Sequence, residues 1–521
     1  MNAAYIRAAV RRHGTLVVLL VFVGVVSVGT HRRGIPWGDD FTLYLRQAKG
    51  LVDGNVGQVI ADNHDNVLLA ARANFSPFVY PWGWPMLLAP FVRLLGLNYA
   101  RLKLVEVACW LTAVGGFHRI FRRRMHPVLA FGLTAAIGTS LPYLRYTGQL
   151  LSEMPYMALL AITLWWLDRC RGDGPLDMAG RRRLVILGLL AMAVFNTRRE
   201  GLAMVPTLAI VQLVDGRGRW RAIDWRAAAT PLAAFAAGVV GLQLMLPSTL
   251  APELTGSGLG QTWAKLRGPF RTAFRDQLGF GSRSALAWAV FGLVAVGVAV
   301  RLRRAWADDI ALVVFSLVSM LIVGMVPALS DRYLMAVTIF AVYFAAQAVA
   351  AIGEFVSGLA ARRLSSGFGV TRRRRSAQAP GARATPVWFA GAVLAAAVGS
   401  HLVQIPAELR HASRDNARGV RDGPAAPYAL AGFAAVLGHT RRDDIVAFSK
   451  ARAMTLFTDR RAVQSSEFQI ILDRADYFLM RRGSTSSQPL VSDQQASDAG
   501  LVSVWSDTTW VLWRVPHAGR P

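Results

Sequence analysis

Long apolar runs, each closed by a short polar or arginine-bearing segment, repeat along the first 404 residues. A helix needs about 20 apolar residues to cross a bilayer, with about 17 to 25 the usual range. Runs near 15–30, 102–118, 127–143, 152–168, 184–197, 201–215, 228–246, 284–300, 310–327, 334–356 and 386–404 predict eleven membrane-spanning helices with loose boundaries. The first run does not read as a cleavable signal peptide, because no small-residue cleavage site follows it and His31 to Asp40 is polar. A shorter stretch, Trp82 to Leu95, contains Pro85 and Pro90 and predicts a helix that lies in the interface or re-enters it. Phe41 to Val52 reads as helical. In the segment 247–283, Trp263, Leu266, Phe270, Phe274 and Leu278 recur every three or four residues, with Lys265, Arg267, Arg271 and Arg275 among them. That spacing predicts an amphipathic helix. Lying flat on the leaflet and gripping a lipid phosphate are both open to it.

From about residue 405 the pattern changes and Asp, Ser and Gln return. Tyr428 to Leu437 predicts a helix; Asp444 to Ser449, Ala475 to Met480 and Trp510 to Val515 predict strands. The expected fold is therefore mainly α: a polytopic membrane domain over 1–404 with about eleven transmembrane helices, plus interfacial helices in its first external loop, 31–101. A small soluble α/β domain over 405–521 completes it.

Composition agrees. Residues are 54% hydrophobic and 17% charged, against about 25% charged in soluble domains, and the mean hydropathy is +0.36. These values exclude a disordered or collagen-like chain. Two cysteines, Cys109 and Cys170, exclude a disulfide framework and a cysteine-built zinc site. The net charge of +27 would suggest nucleic acid in a soluble protein, but here it falls in short clusters between apolar runs. Cytoplasmic loops are enriched in Lys and Arg. The clusters at Arg7 to Arg12, Arg119 to Arg124, Arg169 to Arg183, Arg217 to Arg226, Arg301 to Arg304 and Arg362 to Arg383 all fall on one side when 82–95 does not cross. No nucleic-acid partner is then needed. Eleven crossings put the C-terminal domain outside, and a bacterial cytoplasmic membrane is the expected home.

The external side collects the candidate chemistry. Asp39 and Asp40 follow the first span directly, where adjacent carboxylates are costly unless they bind or catalyse. Helix capping accounts for one of them. Tyr80, Trp82 and Trp84 read as an interfacial aromatic belt or as a platform for a sugar or isoprenoid. Arg101 opens the next span. Arg145 and Glu153, then Arg198, Arg199 and Glu200, then Asp331, Arg332 and Tyr333 occupy successive external turns. Arginine should be scarce there. Pairing with Glu153, Glu200 and Asp331 is one explanation, and a bound anion is the other.

The order GDDFTLYLRQAKGLVDG, YPWGWPMLLAPFVRLLG, Arg101, SEMPYMALLAITLWWLD, TRREGL, SDRYL and VAFSKARAMTLFTDRRAV resembles the integral-membrane GT-C glycosyltransferases, the group of the protein O-mannosyltransferases and the aminoarabinose transferase of lipid A. The resemblance covers most of the chain. It implies a polyprenyl-phosphate sugar donor used on the outer face, an acidic pair at Asp39 and Asp40, and a functional arginine at Arg101. The implied acceptor is a glycolipid such as lipid A, a polysaccharide or a protein, and membrane lipids surround the site. No second Asp-X-Asp motif is seen, so neither a metal nor another cofactor is expected. An acceptor hydroxyl must lose a proton as it attacks; Asp39 suits the general base and Asp40 a positioning role. The leaving lipid phosphate suits the arginines, with Tyr333 beside them. Direct displacement would invert the anomeric centre. A carrier or flippase for an anionic lipid, or a non-catalytic scaffold, would use the same arginines without making a bond. No internal repeat of the kind transporters show is visible.

Overall fold

The computed structural model describes residues 3–69, 78–216, 221, 223–250, 284–325, 330–367, 385–484 and 487–516. Its membrane part comprises α1 (Ala3–Gly29), α2 (Asp40–Asp53), α3 (Val56–Leu69), α4 (Gly83–Leu95), α5 (Tyr99–Arg124), α6 (Pro127–Gly138), α7 (Leu141–Tyr146), α8 (Glu153–Cys170), α9 (Arg181–Thr197), α10 (Met204–Asp215), α11 (Trp225–Met245), α12 (Ser284–Gly324), α13 (Met335–Gly367) and α14 (Thr385–Ala417). The predicted apolar runs fall on these helices with one correction: 127–143 is broken at Thr139 and Ser140 into α6 and the short α7 rather than forming a single span. α12 carries two runs, separated by a kink at Ala305 (φ −151°, ψ 46°). The kink stands at the arginine cluster that separates the two runs in sequence. Among the described residues, five helical stretches are long and apolar enough to cross a membrane: Tyr99–Arg124, Trp225–Met245, Trp288–Gly324, Asp331–Leu359 and Val387–Ala417. Gly14–Gly29, Gly83–Leu95 and Pro127–Gly138 are shorter apolar helices. The amphipathic helix expected at 263–280 and the Arg372 to Arg375 run lie outside the described residues.

Local signals set several boundaries. Asn98 accepts the Arg101 N–H at 3.1 Å and starts α5. The Asp224 carboxylate accepts the Arg226 and Ala227 N–H groups at 3.0 and 3.2 Å and starts α11. Both are N-caps, in which a side-chain oxygen satisfies helix donors that lack an intrahelical partner. Gly54, in the left-handed region at φ 72°, ends α2. The helices pack through small residues: a Cβ on Gly297 would stand 1.8 Å from the Phe344 carbonyl oxygen, so α12 lies directly against α13 there.

Polar groups gather at the two ends of the bundle. At one end, Arg124 is held by Asp168 at 2.7 Å and by Asp309 at 3.1 Å. Arg301 also pairs with Asp309, and the Tyr343 hydroxyl donates to it at 3.0 Å. Asp309 is fully buried. A buried carboxylate is tolerated when it is paired and hydrogen-bonded in this way, and the lattice fixes α12 at its kink. Arg171 and Asp215 pair nearby in sequence at 2.6 Å.

The C-terminal part contains α15 (Pro427–His439), β1 (Ile445–Ala447), α16 (Ala451–Thr458), β2 (Arg461–Val463), α17 (Phe468–Arg474), β3 (Tyr477–Arg481), α18 (Asp493–Asp498), β4 (Val502–Ser506) and β5 (Trp510–Arg514). The sheet runs β2-β1-β3-β5-β4. β1 is parallel to β2 and β3; β5 is antiparallel to β3 and β4. Alternation places Val446, Leu479, Trp510 and Leu512 in one core and Ile445, Ala447, Phe478, Met480, Val511 and Trp513 in the other. Two-sided burial is what apolar strands of a parallel core require.

Candidate functional site

Lys103, wholly buried in α5, donates to the carbonyls of Arg32 and Gly34 at 2.7 and 2.8 Å and anchors the chain between α1 and α2. α2 then begins at the acidic pair. Asp39 stands at the N-cap position, yet its side chain makes no capping bond. The carboxylate turns instead to Lys450 from the loop before α16, with Nζ 3.3 Å from Oδ2. Among the described residues, its buried Oδ1 has no hydrogen-bond partner. A buried acceptor left unsatisfied costs about 1–3 kcal/mol, so the capping explanation fails for this residue.

Asp40 is fully engaged. Tyr80 donates its hydroxyl to Oδ1 at 2.6 Å, and Arg332 pairs with Oδ2. Burial pushes this carboxyl up, but the charge of Arg332, the Tyr80 and Arg332 hydrogen bonds and the charge of Arg452 outweigh it and hold Asp40 below the usual range. Tyr80 stacks on Tyr44, centroids 4.8 Å apart, and Arg452 of α16 lies 5.1 Å above its ring.

Arg332 also lies 3.5 Å from Glu153 Oε1 and 5.3 Å over the Tyr333 ring. Arg198 approaches the same ring: it lies 4.9 Å from the Tyr333 centroid, 2.7 Å from Glu153 and 2.9 Å from Glu200. It reaches Ser152 Oγ at 3.2 Å, which in turn accepts the Tyr44 hydroxyl at 3.0 Å. Asp40, Tyr80, Glu153, Arg198, Arg332 and Tyr333 therefore form one connected cluster. They come from α2, α8 and the turns before α4, α10 and α13, which sequence parity puts on one side. Asp39 adjoins it through the chain.

Four expected site residues stand elsewhere. Arg145 pairs with Glu408 of α14 at 2.6 Å. Arg199 donates to the Thr249 carbonyl at 2.9 Å and to Ser248 Oγ at 2.7 Å, tying down the chain after α11. Trp82 is wholly buried and donates to the Pro247 carbonyl at 2.9 Å. With Trp84 equally buried, neither offers an aromatic face to a lipid or sugar. The Arg101 side chain is exposed at the start of α5. Arg145, Arg198, Arg199 and Arg332 are thus all engaged by groups of the protein itself. Among the described residues, no group of three His, Cys, Asp or Glu is arranged to hold a metal.

Lys450, Arg452 and Asn63 were not singled out from sequence. Arg452 Nε donates to Asn63 Oδ1 at 3.1 Å and Nη1 to the Tyr80 hydroxyl at 3.3 Å. The string SKARAM had marked their segment only as part of a motif order. Basic side chains on a soluble domain otherwise read as solvated.

No protein-family model and no curated protein matches the sequence. Solved structures do match the fold. The chain is similar to ArnT from Cupriavidus metallidurans bound to undecaprenyl phosphate, at 12% identity and TM-score 0.54, over 97% of this chain and 98% of that one. It is similar to the apo oligosaccharyltransferase of Archaeoglobus fulgidus, at 12% identity and TM-score 0.53, over 89% of this chain and 69% of that one. The archaeal oligosaccharyltransferase AglB from the same organism, in complex with an inhibitory peptide and a dolichol-phosphate, matches at 11% identity and TM-score 0.50, over 91% and 70%. These are GT-C glycosyltransferases, and the chain has the polytopic GT-C fold.

Proposed function

We propose that the chain is a membrane glycosyltransferase that moves a sugar from a polyprenyl-phosphate donor to an acceptor hydroxyl on the outer face of a bacterial cytoplasmic membrane. The observation that carries this reading is the unequal use of the acidic pair. Both Asp40 oxygens are engaged and one Asp39 oxygen is; within the pair, and among the described residues, only Asp39 Oδ1 is buried without a hydrogen-bond partner. The Glu153 oxygens, also without one, face Arg198 and Arg332. An unsatisfied carboxylate oxygen is suited to receive a proton donor, and an acceptor hydroxyl is one. The fold shared with ArnT bound to undecaprenyl phosphate supports the donor class.

In the transfer, Asp39 Oδ1 takes the proton of the acceptor hydroxyl while its oxygen bonds to the anomeric carbon. The bond from that carbon to the phosphate oxygen breaks, and the lipid phosphate leaves with the electron pair. Attack opposite the leaving group inverts the centre. Arg332 spends one of a guanidinium's five N–H donors on Asp40 and turns Nε toward Glu153; the remaining donors suit the departing phosphate, with Arg198 and Tyr333 beside the guanidinium. Asp40 holds Arg332 and the start of α2 in place. The scheme is written with the chain's own residues, without a metal or cofactor. The sugar is a hexose or pentose, and the acceptor a glycolipid, polysaccharide or protein.

Purified protein given undecaprenyl phosphate bearing labelled mannose, glucose, arabinose or aminoarabinose should release undecaprenyl phosphate and label an acceptor or water. Binding of undecaprenyl phosphate without turnover of any of the four would overturn the enzyme in favour of a carrier.

A further inference from the structure

The acidic pair does not belong to the membrane part alone. α16 lies against α2 and α3, and the chain just before it and its first turn bring two cations to the carboxylates. Lys450 pairs with Asp39 across 411 residues of sequence. Arg452, 3% exposed, reaches the Tyr80 hydroxyl that donates to Asp40. Other bonds along the same seam do not touch the pair. Arg461 meets Asp65 at 2.7 Å, Arg46 meets Asp459, and Trp37 donates to the Tyr428 hydroxyl at 2.7 Å. Docking therefore has its own contacts, while Lys450 pairs with Asp39 and Arg452 divides its bonds between Asn63 and the Tyr80 hydroxyl that donates to Asp40.

Resting on the reading of Asp39 as base, we propose that Lys450 and Arg452, carried by the C-terminal domain, are positioning residues of the transfer site. Lys450 holds one Asp39 oxygen so that the other is presented to the acceptor. Arg452 holds Tyr80, and through it Asp40. Each aspartate is thereby fixed from both halves of the chain, and the site is complete only with the C-terminal domain docked. Misplacing a catalytic group by about 1 Å can cost on the order of 100-fold in rate, so small losses of hold should be visible in turnover.

The test uses the full chain in detergent with a labelled undecaprenyl-phosphate sugar that the wild type turns over. Lys450→Met should lower kcat by about tenfold or more with undecaprenyl phosphate affinity within about twofold of wild type. Lys450→Arg should recover most of the rate, because the charge at Asp39 is retained. Arg461→Gln, which loosens the seam without touching either aspartate, should keep kcat near wild type. Thermal unfolding of each variant checks folding, and Lys450→Gln replaces Lys450→Met if the latter is unstable. Wild-type kcat in Lys450→Met and Lys450→Gln, with Asp39→Asn inactive, overturns the positioning role and leaves the base intact. An equal loss in Arg461→Gln reduces Lys450 to docking and also overturns it. Full activity in Asp39→Asn itself removes the base, and the positioning role with it.

Discussion

Asp39 and Asp40 are chain neighbours with opposite degrees of engagement, and the difference separates their roles. Their adjacency after an apolar run was legible in the sequence, since two carboxylates there exceed what a helix cap needs. The partners were not. From sequence the external arginines were open to pairing with Glu153, Glu200 and Asp331 or to a bound anion; Arg332 does lie beside Glu153, but its contact with Asp40, from a different external loop, carried no sequence signal. Lys450 and Arg452 could not be foreseen from pattern at all. Removing one partner of a buried ion pair leaves an uncompensated charge and costs about 3–5 kcal/mol when burial is complete. The Arg332 and Asp40 side chains are 21% and 27% exposed, so the cost should be smaller here. Arg332→Ala should lower the unfolding temperature and weaken binding of undecaprenyl phosphate, and Arg332→Lys should recover little of the binding. Adding Asp40→Asn to Arg332→Ala should restore part of the stability but none of the binding. Wild-type donor affinity in Arg332→Ala would make that arginine structural.

The long helices were legible because their apolar runs are continuous and arginines punctuate them. α2 and α4 were legible too, the first from its amphipathic pattern and the second from a run too short and proline-rich to cross. α3 escaped notice: VGQVIADNHDNVLL has no sustained apolar face, and the helix is held by its neighbours. In the C-terminal domain, the strands with continuous apolar runs, β1, β3 and β5, were found. β2, RAV, opens on an arginine and holds only two apolar residues, and β4 reads VSVWS with every position at least partly exposed, so neither carries a run or period strong enough to detect. α16 was missed for another reason. Its sequence, ARAMTLFT, is short, and an arginine in its first turn looks solvent-facing until the membrane part is placed against it.

At the scale of the whole molecule, charge parity placed the acidic pair and the arginine turns at one end and the basic loops at the other. The fold agrees in that Asp40, Glu153, Arg198 and Arg332 meet as one cluster, while Arg124, Asp168, Arg301 and Asp309 meet as another. Which end faces the cytoplasm follows from the positive-inside bias and is directly measurable. Both native cysteines are buried, so introduced ones report cleanly. A cysteine at Gln494, exposed on the C-terminal domain, should react with an impermeant thiol reagent added to intact spheroplasts. One at Arg182, exposed at the start of α9, should react only after lysis. The reverse pattern would move the site to the cytoplasmic face and remove the proposed donor from reach.

The most direct test of the account is turnover and undecaprenyl phosphate affinity measured on the same purified Asp39→Asn and Asp40→Asn variants. Asparagine keeps the shape of aspartate and caps a helix about as well, but it accepts no proton at neutral pH. General-base catalysis contributes about 10²- to 10⁴-fold, so Asp39→Asn should lose at least about two orders of magnitude in turnover while binding the lipid phosphate nearly as wild type does. Asp40→Asn should lose less. Wild-type turnover in Asp39→Asn would contradict the assignment of the base, and with it the mechanism built on Asp39 Oδ1.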